Sequence, residues 1–155
     1  MRNLYIGISA YNHESAVALI DDKGKLINYY REESLSRIKG DNSFPKKSLK
    51  KISQLHNLKL DEIKSIAFYE RPLAAFLTPL RTAALNMPTS LPLISHQCRN
   101  FDKSSIACFL DIAKLYPGLE KKLIYLDHHL SHTLTALPYS DEQENLCSVV
   151  VDGFG

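Results

Sequence analysis

The chain has 155 residues, enough for one domain with a buried core. Hydrophobic residues make up 45% and charged residues 23%, the balance of an ordinary globular domain and not of a disordered or membrane-embedded chain. A formal net charge of +2 is too small to argue for nucleic acid or a membrane surface as partner. The cysteines, Cys98, Cys108 and Cys147, are scattered and odd in number, with no CxxC pair. That suggests neither a zinc knuckle nor a disulfide framework and predicts reduced, mostly buried thiols in a cytoplasmic protein. The first apolar run, residues 4–8, is too short for a signal-peptide core and is broken by Tyr11-Asn12-His13-Glu14. No stretch approaches the roughly 20 apolar residues of a membrane helix.

Residues 4–8 read as a central strand and residues 16–20 as a second. Asp21-Asp22-Lys23-Gly24 has the composition of a tight turn, and residues 26–31 are rich in β-formers. The start is therefore expected to be three antiparallel strands. Residues 34–45 are polar and read as a loop. Residues 46–57 are expected to be helical, with Leu49, Ile52 and Leu55 on one face and Lys46, Lys47, Lys50 and Lys51 mostly off it. Residues 65–69 read as a fourth strand, stopped by Glu70-Arg71-Pro72. Residues 73–86 have a helical pattern that Pro79 must kink or split. A proline-punctuated loop is expected over 87–93, then a helix over 104–115 ended by Pro117-Gly118. A short strand at 123–126, a helix at 129–137 and a buried strand at 146–151 complete an α/β layered domain with no internal repeat. The chain stops at Gly155, directly after that last strand and an Asp-Gly turn, which reads as a truncated or natural fragment.

Four features carry chemistry. In Asp127-His128-His129-Leu130-Ser131-His132, three of the six histidines fall within five positions. On a helix His128 and His132 share a face, with Cβ atoms about 6 Å apart. Imidazoles so spaced can grip one transition metal at about 2 Å, while His129 points about 100° away. In Val149-Val150-Val151-Asp152-Gly153, an apolar strand delivers a carboxylate at its C-terminal end, where α/β sheets place ligands. Asp152 suits a two-histidine, one-carboxylate set for iron or zinc, and Gly153 lets backbone approach a phosphate; a plain strand-ending turn explains the same residues. Ser9-Ala10-Tyr11-Asn12-His13-Glu14-Ser15 lies between two strands, and His13 there is either a proton-moving group or a satisfied turn residue. In the segment from Arg31 to Lys39, Arg37 and Lys39 are candidates for holding phosphate or similar oxygens, or are surface charge. His56 and His96 have no company that suggests a role.

Taken in order, the motifs resemble the N-terminal half of NodU/CmcH-type O-carbamoyltransferases. The resemblance rests on Ile6-Gly7-Ile8-Ser9, Asn12-His13-Glu14-Ser15-Ala16, Glu32-Glu33 with Ser36-Arg37, Lys39 and Phe44-Pro45. It continues through Phe68-Tyr69-Glu70-Arg71-Pro72, His128-His129-Leu130-Ser131-His132 and Val151-Asp152-Gly153. It runs from Tyr5 to the last residue, and the HHLSH run followed by VDG is its most specific part. The chain departs from the usual pattern at Glu14, where Asp is usual, and at Ser34-Leu35, where Arg-Phe is usual. The interval from the histidines to Asp152 is also one residue longer.

The resemblance implies an actin/sugar-kinase/heat-shock-type (ribonuclease H-like) lobe, a mixed sheet with an antiparallel start flanked by helices, related to the tRNA threonylcarbamoyl-transferase domain. Residues 1–155 would be a truncated N-terminal lobe, without the second lobe and the YrdC-like domain of the C-terminal half. The parent would be an enzyme and the isolated chain inactive. Such enzymes use ATP and carbamoyl phosphate to make carbamoyl-adenylate, then carbamoylate a hydroxyl of a small molecule; neither nucleic acid nor membrane takes part. Carried over by position, His128, His132 and Asp152 match metal ligands, for Fe2+ or else Zn2+ or another divalent ion, with a further aspartate from the missing half. The metal would bind nucleotide phosphate and polarise the carbamoyl carbonyl. His13 matches a general base or orienting group for the acceptor hydroxyl, and Lys39 a stabiliser of the carbonyl oxygen. Gly7, Arg37 and Gly153 match nucleotide or phosphate contacts. The alternatives are a threonylcarbamoyl-transferase or kinase relative on the same fold, and a non-catalytic lobe that binds metal, nucleotide or a partner chain.

Overall fold

Alternation of small and branched residues organises the first strands. In a computed structural model, which describes residues 2–11, 13–92, 94–95, 105–137 and 147–151, Leu4–Ser9 forms β1 with Leu4, Ile6 and Ile8 buried on one face. Ala16–Asp21 forms β2 and buries Val17 and Leu19 in the same way. Leu26–Arg31 forms β3. β2 pairs antiparallel with both β1 and β3, giving the expected antiparallel start, with Ile6 opposite Leu19 and Ala18 opposite Tyr29. The turn between β2 and β3 is set by Asp21, whose Oδ1 accepts from the N–H groups of Lys23 and Lys25 at 2.9 Å each. Gly24 takes the left-handed conformation there, with φ of 76°.

Ile63–Phe68 forms β4, parallel to β1, and Leu123–Tyr125 forms β5, parallel to β4. The sheet order is β3-β2-β1-β4-β5, so β1 is central. The pairing of β1 with β4 shifts register between Leu4 and Tyr5. This shift lets Ile63, Ile66 and Phe68 all reach the buried face although strict alternation would separate Ile63 from the other two.

One face of this sheet is covered by two helices. Lys46–His56, α2, brings Leu49 and Ile52 to the core, and Ser105–Leu115, α4, brings Cys108 and Ile112. Leu119, in the 3-10 turn Leu119–Lys122, joins them. Burying each large aliphatic side chain stabilises the fold by about 1.5–3 kcal/mol. The four lysines of α2 are exposed, and so is Leu55, which departs from the expected apolar face because its side of the helix lies beyond the sheet's cover.

Four further expectations are corrected. The polar segment 34–45 begins with a short helix, Glu32–Ser36, α1. Its first residue is buried, and the Glu32 carboxylate accepts the N–H groups of Lys47 and Ser48 at 3.0 and 2.8 Å and the Ser48 hydroxyl at 2.7 Å, so it caps α2 from outside the helix. Pro72–Leu85, α3, is one 14-residue helix that runs through Pro79, so the proline does not split it. The expected loop over 87–93 is turn through Ser90 and helical at Leu91 and Pro92. Of the expected buried strand at 146–151, residues 147–151 are described and carry no strand, and Val149 and Val151 are 81% and 91% exposed. Apolar character does not make a strand without a ladder to join, and these residues pair with none of the five strands. Cys108 is buried as expected and Cys147 is exposed. Among the described residues, no helix is long and apolar enough to cross a membrane.

Candidate active site

Two loops and one helix meet beyond the ends of β1 and β4. The helix is His128–Ala136, α5, which starts one residue earlier than expected. Asp127 is its N-cap, with Oδ1 accepting the N–H groups of His129 at 3.2 Å and Leu130 at 3.4 Å. The cap fixes the first turn, and the four-residue spacing then places His128 and His132 on one side of it. Their Nε2 atoms lie 3.3 Å apart and their ring planes are nearly perpendicular. Two nitrogens each about 2.1 Å from a tetrahedral ion lie about 3.4 Å apart, so the pair has the separation of two ligands on one metal. The Nδ1 end of the His128 ring is buried, and its Nε2 end lies toward His132. Among the described residues, no group of three histidine, cysteine or carboxylate side chains is placed to hold a metal. Asp152 and Gly153 lie outside the described residues.

Ser131 ties this helix to the sheet. Its hydroxyl donates to the carbonyl of Tyr69, just past β4, at 3.2 Å and is 3.0 Å from the Asp127 carbonyl. The N–H of Leu126 donates to the Phe68 carbonyl at 2.9 Å, extending the ladder toward the same point.

His13 comes from the β1–β2 loop, which the rest of the protein pins firmly. Tyr11 is only 7% exposed, has φ of 72°, and donates its hydroxyl to Asp111 Oδ2 of α4 at 2.9 Å. Burial and this bond push the Tyr11 hydroxyl pKa far above the usual tyrosine range, so it stays a donor. The Tyr11 N–H donates to the Asn42 carbonyl at 2.7 Å, and the Ser15 N–H to the Asp41 carbonyl at 2.8 Å. The Ser15 hydroxyl donates to the Ser43 carbonyl. Asp41 in turn is held below the usual carboxylate range by the hydroxyls of Ser36 and Ser43. Arg31 of β3 pairs with Glu14 and also with Glu33, at 3.0 Å from the latter.

This loop delivers the exposed His13 ring to the helix. The rings of His13 and His128 are stacked, with centroids 6.3 Å apart and planes within 7°. Tyr69 completes a three-ring cluster, at 5.7 Å from His13 and 5.8 Å from His128. The structure thus brings together three of the residues singled out in the sequence, His13, His128 and His132. It leaves Arg37 and Lys39 apart from them: both are exposed after α1, Arg37 as a left-handed helix terminus with φ of 66°, and among the described residues neither side chain bonds to a histidine. Gly7 stands in mid-β1 opposite Ala18 and Ala67, on the face away from the core, where an added Cβ would meet no described atom within 4 Å. His56 is structural, with Nε2 3.0 Å from Asn28 Nδ2, and His96 lies outside the described residues.

Sequence reasoning misses Tyr69, Ser131, Tyr11, Asp111 and Arg31. Tyr69 and Ser131 stand inside the motifs that carry the resemblance, and their signal is position: a tyrosine directly after a strand, and a serine facing the sheet between two histidines. Asp111 gives no local signal, because only the fold brings it to Tyr11.

Comparison with known proteins follows the same motifs. Residues 4–154 match the family model described as "Carbamoyltransferase N-terminus". The chain is 32% identical to an uncharacterized protein of Synechocystis sp. over 167 aligned positions, covering 97% of this chain and 25% of that protein. It is 27% identical to the nodulation protein NolNO of Sinorhizobium fredii, covering 95% of this chain and 20% of that protein. The chain thus spans about a quarter or less of the length of these relatives, and by the family match over nearly all its residues it belongs to the carbamoyltransferase family, at that family's N-terminal domain.

Proposed function

We propose that this chain supplies the histidine-bearing lobe of an ATP-dependent O-carbamoyltransferase that moves a carbamoyl group from carbamoyl phosphate, through carbamoyl-adenylate, to a hydroxyl of a small molecule. The observation that carries the reading is the meeting of His13, from one end of the chain, with the paired Nε2 atoms of His128 and His132, from the other. Family membership supports the reaction class. The strand order β3-β2-β1-β4-β5, with β2 alone antiparallel to both neighbours, supports a lobe of the actin/sugar-kinase/heat-shock type.

The residues fit a metal. His128 and His132 would hold a divalent ion, Fe2+ or Zn2+, through Nε2, and Asp152 would be the carboxylate that completes the set. Such an ion supplies Lewis acidity toward phosphate and carbonyl oxygens. The chain's own residues do the rest. His13, exposed and stacked beside His128, takes the proton of the acceptor hydroxyl as its oxygen bonds to the carbamoyl carbon and the bond to the adenylate phosphate breaks, releasing AMP. By the family resemblance alone, Lys39 would serve the carbamoyl carbonyl oxygen and Gly7, Arg37 and Gly153 the nucleotide phosphates.

Two experiments test this. The full-length protein carrying this chain should release pyrophosphate from ATP only when carbamoyl phosphate is present, with no acceptor added; absence of release from folded, metal-loaded protein overturns the carbamoyl-adenylate chemistry. His128→Ala and His132→Ala should each lose bound Fe2+ or Zn2+, measured by elemental analysis, while His56→Ala keeps it. Equal metal in all three overturns the site.

A further inference from the structure

Tyr69 is fixed at three points that lead to three different parts of the site. Its carbonyl takes the Ser131 hydroxyl of α5 at 3.2 Å. Its own hydroxyl donates to the Ala10 carbonyl at 3.0 Å, at the start of the His13 loop. Its ring lies against His13 and His128 at nearly equal centroid distances, 5.7 and 5.8 Å, tilted 51° and 54° to them. One residue therefore holds both the loop that carries His13 and the helix that carries the histidine pair. His13 itself is exposed and follows Tyr11, whose positive φ is a conformation that an ordinary side chain adopts only under constraint. An exposed ring on such a loop keeps one orientation only if something stops the loop from relaxing.

From this we infer that Tyr69 is a positioning residue: its hydroxyl holds the loop through Ala10, and its ring sets the distance and tilt of His13 over His128. The inference rests on the carbamoyl-transfer reading only for its effect on rate. Its geometric content stands without it. The Tyr69 hydroxyl donates its hydrogen bond to the Ala10 carbonyl, and its ring lies beside the rings of His13 and His128. The role assigned to it is to orient His13, so its loss is expected to act on turnover more than on metal binding.

The test uses this chain and the protein that carries it, with Tyr69→Phe, which keeps the ring and removes the hydroxyl, and Tyr69→Leu, which removes both. The ring-proton resonances of His13, assigned with His13→Gln, report its position through the ring currents of its neighbours. Tyr69→Phe should move and broaden them, Tyr69→Leu should bring them to the positions of a free histidine, and the Zn2+ affinity of both variants should stay within about three-fold of the parent. With ATP, carbamoyl phosphate and a small alcohol as the hydroxyl probe, kcat should fall about ten-fold in Tyr69→Phe with the KM for that alcohol unchanged, part of the 10²–10⁴ a positioned base contributes. His13 resonances unchanged in both variants would overturn the inference. So would a loss of Zn2+ affinity equal to that of His132→Ala, which makes Tyr69 part of the metal site. If the parent transfers no carbamoyl group, the functional reading fails, and the His13 resonances still decide the role of Tyr69.

Discussion

The loop at residues 10–15 and the run at residues 147–151 contrast sharply. The first is polar, with a histidine, a glutamate and a serine, and yet it is held at both ends: Ser15 is 1% exposed and Tyr11 is bonded to α4. The second is three valines in a row and lies exposed, with Val149 and Val151 almost fully in solvent. Residue character alone predicts the reverse. What decides is partners. The loop finds the carbonyls of Asp41, Asn42 and Ser43 and the carboxylate of Asp111, so the polar groups of Tyr11 and Ser15 are satisfied away from water. The valines find no ladder among the described strands, and an apolar run without one is exposed surface.

The largest effect comes from Phe68, fully buried beneath the loop, with its ring 6.2 Å from Tyr11, 4.9 Å from Tyr69 and 6.2 Å from Tyr125. Phe68→Ala should cost about 3–5 kcal/mol in chemical denaturation, because the cavity cannot close under three rings. Val151→Ala should change stability by less than about 0.5 kcal/mol. Comparable losses at the two positions would erase the contrast. Next in size is Tyr11→Phe, which removes the bond to Asp111 and should cost about 1–2 kcal/mol, with the His13 loop gaining amide exchange while α2 does not. Uniform faster exchange would mean that the loop is not held as a separate unit. Asp127→Ala removes the cap of α5 and should cost about 1 kcal/mol, with weaker Zn2+ binding because the first turn carries His128. Unchanged Zn2+ affinity would show that Ser131 alone suffices to place the helix.

Much of the fold and half of the site are legible in the amino-acid sequence. The antiparallel start follows from two apolar runs and an Asp-Asp-Lys-Gly turn, all local signals. The helix with His128 and His132 on one side follows from spacing. What is not legible depends on residues far apart in sequence. Glu32 and Glu33 look alike, yet Glu32 is buried as the cap of α2 and Glu33 pairs with Arg31, a difference set by the path of the chain after β3. Ile63 belongs to the core only because β1 and β4 shift register at Leu4. The valine run defeats a sequence reading because periodicity reports what a segment can bury, and the neighbour that would bury it is a tertiary fact. The meeting of His13 with His128 is of the same kind: each histidine has a motif, but only the parallel pairing of β1 with β4 brings the two ends of these strands together.

The smallest predicted effect concerns acid, and it isolates the loop's polar bonds from its packing. The Asp41 carboxylate takes the Ser43 N–H at 3.0 Å and its hydroxyl at 2.6 Å, while its backbone carbonyl takes Ser15. Hydroxyl bonds from Ser36 and Ser43 lower its pKa in the folded state. The unfolded chain therefore binds a proton at a higher pH than the folded one does. The stabilisation is full above the unfolded aspartate value of about 3.9 and is lost as pH falls through the folded value. Stability measured by denaturant midpoint should decline below about pH 4, and Asp41→Asn should flatten part of that decline at the cost of lower stability at neutral pH. Because valine side chains do not titrate, amides at 147–151 should exchange no faster relative to the intrinsic acid rate, while those at 11–15 should. If acid leaves 11–15 as protected as before, the loop is held by the packing of Tyr11 on Phe68, and the hydrogen bonds of Asp41 are secondary to it.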